Sequence, residues 1–385
     1  MPFSSKLPDV GTTIFTVVTQ RAQELGAINL AQGFPDYDIA PELCDLLDKY
    51  VRAGRNQYAP MMGVQELRQE IARKLERTQS VAVDPDREVT VTVGGTEALF
   101  SAVSTCVGNG DEAIVFDPAY DSYDPAIRLA GAKCVHVPLQ LPSFDMPWER
   151  LKATLSPRTR LVILNNPHNP ACRVLERNDL DTLAELLRGT NALLLSDEVY
   201  EHIVLDGRKH VSVLSHPELR ERSFAVFSFG KTFHATGWRL GYCVAPAALT
   251  TEFRKAHQFN TFAVFTPVQY AVAEYLRSYP RRLDELPEFF ARKRDLFCGL
   301  LAGSGLRWTP AQGTYFQLLD FSELSDEDDM SFADKLLREA GVASIPLAPF
   351  YQHPPRLSVV RFCFAKRDET LQQGAERLTR WREAS

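Results

Sequence analysis

Short apolar runs alternate with longer stretches of mixed polarity between about residues 40 and 275. Most of these runs are nearly continuous, which is typical of strands that are buried on both faces of a parallel sheet. Several of the stretches between them, such as Thr96–Val107 and Asp179–Leu187, have helical patterns. The strand candidates are Val89–Val93, Ala113–Phe116, Cys134–Val137, Leu161–Leu164, Ala192–Leu195, Phe224–Phe227 and Leu240–Val244. The pattern predicts an α/β fold with a mostly parallel central sheet flanked by helices.

The pattern changes beyond residue 267. One long helical stretch, from Pro267 to about Leu301, precedes a strand, a helix and a strand, which predict a smaller α+β domain. These three elements are expected at Gly313–Asp320, Ser331–Ala340 and Leu357–Phe364. Residues 1–30 contain no clear strand, and 385 residues suit two packed domains. We expect an N-terminal arm with part of the small domain over residues 1–40, a large domain over 41–275 and a small C-terminal domain over 276–385.

Composition and charge narrow the class of protein. Hydrophobic residues make up 45% and charged residues 24%, and the net charge of −6 is spread over both signs. The chain has no basic stretch for nucleic acid and no apolar run long enough for a membrane span, so we expect neither partner. The first residues contain no apolar signal core. The seven cysteines are scattered without a C-x-x-C pair, which predicts reduced thiols in a cytoplasmic protein. The histidines form no H-E-x-x-H motif, and we expect no metal.

Lys231 is the most informative single residue. It lies in the segment Ser228–Thr232, directly after the apolar run Phe224–Phe227. An ammonium group near a sheet core needs a partner or must lose its charge, and an imine with an aldehyde cofactor removes that charge. A surface lysine is the ordinary alternative. A phosphate loop of the G-x-x-x-x-G-K-[ST] type is disfavoured, because its first glycine would fall on Ala225 within the strand.

Other predicted strands end in groups that suit the same ligand, because ligands of open α/β sheets bind at the carboxyl ends of the strands. Gly95 and Thr96 open a helix after the first strand, and such an N-terminus binds phosphate. Tyr120 can stack on a flat ring, and Asn169 lies in a turn with two Asn-Pro pairs. Asp197 lies two residues after a run of three leucines, so its carboxylate needs a cation or a strong donor. Ordinary alternatives exist: a glycine turn for Gly95 and Thr96, core packing for Tyr120 and a helix cap for Asp197.

Ser228 offers a hydroxyl and Arg239 a guanidinium with several N–H donors, and both groups suit a phosphate. Taken together, these strand ends supply a phosphate cradle, a stacking ring, a carboxylate for a ring nitrogen, donors for a phenolic oxygen and an imine-forming lysine. This combination matches the requirements of pyridoxal 5′-phosphate. A dinucleotide fingerprint is disfavoured, since the G-x-G-x-x-A stretch at 108–113 precedes a strand instead of following one.

With these motifs the chain resembles the fold-type I, class I/II aminotransferases. Within them it is most similar to the branch of methionine aminotransferases and kynurenine–glutamine transaminases. The resemblance covers nearly the whole chain. The motifs that carry it are Asn29–Asp36, Asn56–Tyr58, Asn166–Pro170, Ser196–Tyr200, Ser228–Thr232, Gly237–Tyr242 and Arg361–Ala365. One departure is visible, since Ala171-Cys172 follows the Asn-Pro turn where the family usually has Thr-Gly.

The resemblance implies roles for individual residues. Lys231 forms the imine with the cofactor and moves the substrate proton, and Asp197 pairs with the pyridine nitrogen. Tyr200 and Asn169 bind the ring oxygen, and Tyr120 stacks on the ring. The phosphate is held by Gly95, Thr96, Ser228 and Arg239. The implied catalytic residues are Lys231, Asp197 and Tyr200.

Further implied roles concern the substrate and the assembly. Arg361 clamps the substrate α-carboxylate with help from Asn169 and the backbone near Gly33, and Tyr58 reaches the phosphate of a neighbouring subunit, which implies a homodimer. The expected reaction moves the amino group of an amino acid to a 2-oxo acid by a ping-pong mechanism. A carbon–sulfur β-lyase remains an alternative, since the same groups serve both reactions, and a non-catalytic regulator is a further one.

The expected donors are neutral and bulky: methionine, aromatic or glutamine-like amino acids. Part of this expectation comes from the resemblance. The rest comes from residues 11–15 and 33–37, which border the substrate in relatives and carry apolar and aromatic groups but no arginine. A second substrate carboxylate without a cation would be disfavoured there.

Overall fold

A computed structural model of the protein describes residues 4–384, and its largest element is a seven-stranded sheet. The strands of the structure are β1 Ile28–Asn29, β2 Val89–Thr92, β3 Glu112–Asp117, β4 Lys133–Pro138, β5 Thr159–Asn165, β6 Leu193–Asp197, β7 Ser223–Ser228, β8 Gly241–Val244, β9 Phe316–Asp320, β10 Val342–Ala343, β11 Ile345–Pro346 and β12 Val359–Cys363. The large sheet has the order β2-β8-β7-β6-β5-β3-β4. Neighbouring strands from β7 to β4 are parallel, and β8 is antiparallel to β7 and β2. The predicted α/β fold with a mostly parallel sheet is confirmed.

Alternate residues of the sheet pack into different hydrophobic clusters. In β3, Ala113 and Val115 belong to one cluster, whereas Ile114 and Phe116 belong to the other. Both faces of the sheet are therefore covered, which explains why its apolar runs are nearly continuous. The helices are α1 Ile14–Glu24, α2 Pro41–Arg52, α3 Gln65–Gln79, α4 Gly94–Cys106, α5 Tyr123–Leu129, α6 Trp148–Thr154, α7 Arg177–Leu187, α8 Pro217–Arg220, α9 Phe229–Thr232, α10 Ala247–Asn260, α11 Thr266–Ser278, α12 Arg282–Leu300, α13 Asp329–Lys335 and α14 Asp368–Ala384.

A smaller antiparallel sheet, β11-β12-β9, and the helices around it form the C-terminal region. The predicted helix over Ser331–Ala340 consists of α13 followed by a short π-helical turn at Leu336–Ala340. The three-part division at residues 40 and 275 stays a prediction, and residues 1–3 of its arm lie outside the described residues. No helix within residues 4–384 is both long and apolar enough to span a bilayer.

Two expectations from the sequence are wrong. The single helical stretch after Pro267 is two helices, α11 and α12, because the chain leaves the helix at Tyr279 and Pro280 cannot donate a backbone hydrogen bond. The first thirty residues also contain a strand, since Ile28 and Asn29 pair in parallel with Val342 and Ala343. This two-residue strand depends on a partner more than three hundred positions away, so the local sequence does not reveal it.

Candidate active site

A cavity of about 240 Å³ opens at the carboxyl ends of the parallel strands. Its lining consists of Phe15, Gln32, Gly33, Gly95, Thr96, Leu99, Tyr120, Asn165, Asn169, Asp197, Val199, Tyr200, Ser228, Lys231, Arg239, Phe316 and Arg361. Every site residue predicted from the sequence is in this set except Tyr58. The structure adds residues that were not predicted as site residues, including Leu99, Asn165, Val199 and Phe316.

Lys231 enters the cavity from α9, the single turn of helix that follows β7. Its Nζ donates to the Gly33 carbonyl at 3.3 Å and lies 5.6 and 5.5 Å from the ring centres of Tyr200 and Tyr315. It forms no ion pair with a carboxylate of residues 4–384. Loss of water around the amine lowers the pKa of Lys231 to about 8. The amine is still mostly protonated near physiological pH, but a far larger fraction of it is neutral than in an ordinary lysine, and the neutral form is the nucleophile and proton acceptor.

Asp197 is the last residue of β6, and only 4% of it is exposed. Its carboxylate accepts a hydrogen bond from the Tyr123 hydroxyl at 2.7 Å and one from the Val199 amide at 3.3 Å. A turn follows it, so the alternative role as a helix cap does not apply. Burial raises the pKa of Asp197 to about 6, which still leaves it mostly ionised at pH 7. A buried carboxylate with neutral partners can hold a proton on a ring nitrogen.

Arg361 lies in β12 and is fully buried. Its guanidinium donates to Asn169 Oδ1 at 2.5 Å and to the Ala31 carbonyl at 3.3 Å, and it stacks 3.8 Å from the ring centre of Phe316. Its Nε has no partner, and no carboxylate of the described residues pairs with it. A buried cation without an anion is costly unless a ligand supplies one. The arrangement suits a carboxylate bound at the cavity wall.

The opposite side of the cavity is shaped for a phosphate. Helix α4 begins at Gly94, and no side chain caps it, so its first amides are free for a ligand. Gly94 has a positive φ of 71°, and a Cβ there would lie 2.7 Å from the Arg239 side chain. A Cβ on Gly95 would lie 2.9 Å from Val199. Only glycines leave this space, and Ser228 and Arg239 line the same cavity.

The Asn-Pro turn is anchored to the neighbouring strand. Asn165 donates to the Asp197 carbonyl at 2.9 Å and accepts from the Asn169 amide at 2.7 Å. Tyr200 is also buried, and burial raises its pKa, so its phenol stays protonated as a donor. Its ring meets that of Tyr315 edge-on at 5.1 Å. These donors, the Asp197 carboxylate, the Lys231 amine and the phosphate cradle fit pyridoxal phosphate.

Sequence reasoning missed two tyrosines that support the site. Tyr315 donates to the Gly33 carbonyl at 2.5 Å, and Tyr123 donates to Asp197. Tyr123 begins α5 only three residues after Tyr120, and this short spacing is a usable signal for Tyr123. Tyr315 comes from a distant part of the chain, and no local pattern marks it.

Tyr58 is the predicted residue that the structure does not bring to the cavity. It is 82% exposed, and its ring packs edge-on against Phe262 at 5.1 Å. Within one chain it contributes nothing to the site, so its predicted role depends on a second subunit.

The family model for Aminotransferase class I and II matches residues 25–378. The chain belongs to the class I and II aminotransferases. It is 50% identical over 374 residues to the methionine aminotransferase of Escherichia coli, and the match covers 97% of each chain. It is 33% identical to kynurenine–oxoglutarate transaminase 3 of Rattus norvegicus, with 98% of this chain and 90% of the relative covered.

Solved structures agree with this assignment. The structure of YbdL from Escherichia coli, described as having a methionine aminotransferase function, matches with a TM-score of 0.96 at 50% identity, covering 99% of this chain and 100% of the other. The N-succinyldiaminopimelate aminotransferase of Mycobacterium tuberculosis matches with a TM-score of 0.95 at 36% identity and the same coverage. The chain is therefore a pyridoxal-phosphate-dependent aminotransferase of fold-type I.

Proposed function

We propose that this aminotransferase prefers neutral, bulky amino donors: methionine, aromatic or glutamine-like amino acids. The observation that carries the proposal is the set of cations in the cavity wall, which are Lys231, Arg239 and Arg361. Each of them already has a proposed partner: the cofactor aldehyde, the cofactor phosphate and the substrate α-carboxylate. No cation of the lining remains for a carboxylate in the substrate side chain, which would be buried without a partner.

The apolar part of the wall supports the same proposal. Phe15, Leu99 and Phe316 border the cavity, and Phe316 lies directly against the Arg361 guanidinium. A side chain without charge can be desolvated against these groups at little cost. Such a wall separates methionine from phenylalanine only weakly, by roughly 1–3 kcal/mol. The names of the relatives, methionine aminotransferase and kynurenine–oxoglutarate transaminase, point in the same direction.

The cofactor, when bound, supplies the aldehyde that accepts the amino group and the ring that accepts electrons. We assign Asp197 to the ring nitrogen, Tyr200 and Asn169 to the ring oxygen, and Tyr120 to the ring face. The phosphate is assigned to Gly95, Thr96, Ser228 and Arg239. The Lys231 amine takes the proton from Cα of the amino acid and later returns it. Its lowered pKa suits both directions of transfer.

The substrate is oriented by its carboxylate. In this proposal Arg361 and Asn169 hold the α-carboxylate beside the Gly33 backbone, so the Cα hydrogen lies close to Lys231. The first amino acid leaves as a 2-oxo acid, and a second 2-oxo acid takes up the amino group, which gives ping-pong kinetics.

A homodimer is part of the proposal. Tyr58 lies in a group of exposed aromatic side chains with Phe259, Phe262 and Phe265, which are 87%, 54% and 55% exposed. Apolar groups of this size on a surface are typical of an interface. We propose that this surface pairs with a second copy and that Tyr58 reaches the phosphate of the partner.

A cytoplasmic location is proposed from the unpaired thiols, of which Cys134, Cys172, Cys243, Cys298 and Cys363 are buried.

The deciding experiment compares kcat/KM for methionine, phenylalanine, glutamine and aspartate with one common 2-oxo acid. We expect the neutral donors to exceed aspartate by at least tenfold. Aspartate as the best donor would overturn the proposal. Pyruvate and ammonia released from cystathionine without an acceptor, at a rate above transamination, would favour the β-lyase.

Arg361→Gln tests the assignment of the α-carboxylate. Loss of a buried charged partner costs about 2–5 kcal/mol, so kcat/KM should fall roughly 30-fold to several thousand-fold, and to the same degree for every donor. Arg356→Gln is the matched control, because Arg356 is exposed and lies five positions away on the same segment. An Arg361→Gln enzyme that loses activity toward one donor class alone would contradict the role.

A further inference from the structure

We propose that the edge of the large sheet opposite β2 carries a binding site for a divalent transition-metal ion of the zinc type, with Asp124, Cys134 and His136 as ligands. One ligand atom of each residue, a carboxylate oxygen, the thiol sulfur and a ring nitrogen, lies within 4.8 Å of the other two. Ligands around tetrahedral zinc are separated by roughly 3.5 Å, so a small side-chain movement closes the site. The distance from His136 Nε2 to Asp124 Oδ1 is already 3.7 Å.

The three residues belong to two elements that pack together. Cys134 and His136 are two positions apart on the edge strand β4, so their side chains share one face. Asp124 lies in the first turn of α5, which packs against β4. Ligands on a strand and a helix are held more firmly than ligands on loops. No zinc motif appears in the sequence because the third ligand lies ten residues before Cys134.

A second carboxylate orients the histidine. His136 Nδ1 lies 2.7 Å from Asp117 Oδ1, and both side chains are almost completely buried. Asp117 is itself fixed, since its other oxygen accepts from the Gln352 amide at 3.0 Å. This pair directs Nε2 of His136 toward Asp124. A carboxylate behind a histidine is the usual arrangement around protein-bound zinc, where it sets the tautomer and the ring orientation.

The cluster is reachable by an ion. It lines a cavity of about 1180 Å³ that adjoins the active-site cavity at Phe15 and Tyr120 but is not lined by Lys231, so water can fill the fourth position of the metal. Arg128 contacts the cluster, since it donates to Asp124 at 3.1 Å. Lys133 lines the same cavity but pairs with Glu112 at 3.7 Å. Arg128 also pairs with Asp9, and it therefore keeps a partner when Asp124 turns to a metal ion.

Calorimetric titration of the pyridoxal-phosphate-loaded enzyme, without a histidine tag, with Zn²⁺ tests the site. We expect one ion per chain, with affinity reduced at least tenfold in Cys134→Ser and in His136→Gln. Asp117→Asn should weaken binding by about 10- to 100-fold, as removal of a supporting carboxylate does in zinc enzymes. Cys44→Ser is the matched control, because Cys44 is an exposed thiol on α2 that does not line this cavity, and the Zn²⁺ affinity of this variant should be unchanged.

Binding of Co²⁺ in place of Zn²⁺ reports directly on the thiolate ligand, which a change in folding alone does not. The native enzyme should show a thiolate-to-cobalt absorption band, which Cys134→Ser removes and Cys44→Ser keeps. If the variants of Cys134 and His136 on β4 fail to fold, Asp124→Asn on α5 tests the site instead. This variant should also weaken Zn²⁺ binding at least tenfold. The proposal is overturned if the native enzyme binds no Zn²⁺ in a one-to-one ratio, or if the cluster variants that fold bind as tightly as the native enzyme.

Discussion

Lys74 and Lys231 both lie below the protein surface, and loss of water lowers the pKa of each. Their surroundings differ completely. Lys74 forms an ion pair with the buried Glu201 and donates to the Tyr242 hydroxyl at 2.9 Å. Lys231 has one carbonyl at 3.3 Å and no ion pair within the described residues. The comparison shows that a buried lysine stabilises the fold where its partners satisfy it, and is chemically available where they do not.

The same contrast holds for the buried arginines. Arg294 pairs with Asp206 through two nitrogens at 2.7 Å, and its Nε donates to Asp295 at 2.9 Å, so the buried guanidinium has partners for all three nitrogens. Among residues 4–384, Arg361 has no carboxylate partner, and its Nε makes no hydrogen bond. Missing partners at Lys231 and Arg361 therefore support the proposal that an aldehyde and a carboxylate bind there.

The largest expected effect is that of Lys231→Ala. In our proposal Lys231 binds the cofactor covalently and moves the proton, so its removal should lower turnover by several orders of magnitude. The purified native enzyme should be yellow, and borohydride should fix the cofactor to Lys231, as peptide mass analysis can show. Label on another lysine, or no label, would refute the assignment.

Lys231→Met should leave the cofactor-free protein at least as stable as the native one, because the amine it removes has no ion pair.

Asp197→Asn is expected to have the next largest effect. An amide cannot stabilise a protonated ring nitrogen as a carboxylate does, so the proton-transfer step should slow by about 10²- to 10⁴-fold. The fold and much of the cofactor binding should remain, since the amide can still accept from Tyr123. Single-turnover absorbance with methionine, protonated and deuterated at Cα, measures the step. Near-native turnover of the variant would mean that the carboxylate has a structural role.

Lys74→Met should affect stability instead of chemistry. It leaves the Glu201 carboxylate buried without its cation, which typically costs about 3–5 kcal/mol of the free energy of unfolding. Turnover per folded molecule should remain close to native. The double variant Lys74→Met/Glu201→Leu should recover most of the stability, because an apolar pair often replaces a buried ion pair without loss. Urea unfolding followed by circular dichroism measures the stability of the single and the double variant. A Lys74→Met enzyme that is stable but inactive would contradict the comparison.

The smallest effect is a shift in pH dependence. Only the neutral amine attacks an aldehyde, so the neutral fraction of Lys231 limits the rate at which the cofactor-free protein takes up pyridoxal phosphate. Burial lowers the pKa of Lys231 to about 8 from 10.5, so the amine is protonated below about pH 8 and neutral above it. The uptake rate should rise with pH, with a midpoint near 8. A midpoint near 10 would show that Lys231 behaves as an ordinary surface lysine.

The sequence alone predicted the strands of the large sheet to within a few residues, and it identified the groups at their carboxyl ends. Lys231, Asp197 and Asn169 could be recognised because each lies shortly after an apolar run. A strand buried on both faces produces such a run within a short stretch of sequence. Their convergence followed from the rule that parallel strands present one common edge to a ligand.

Only the tertiary structure decided which charges have partners. Nothing near Lys74 reveals that Glu201 neutralises it, and nothing near Arg361 reveals that its guanidinium stacks on Phe316 without a carboxylate. The hydroxyl of Tyr315 on Gly33, the pairing of β1 with β10 and the approach of Asp124 to His136 are equally invisible in the chain. Strand patterns depend on neighbours along the chain. Charge satisfaction depends on residues that are distant in sequence, and these meet only when the elements have packed.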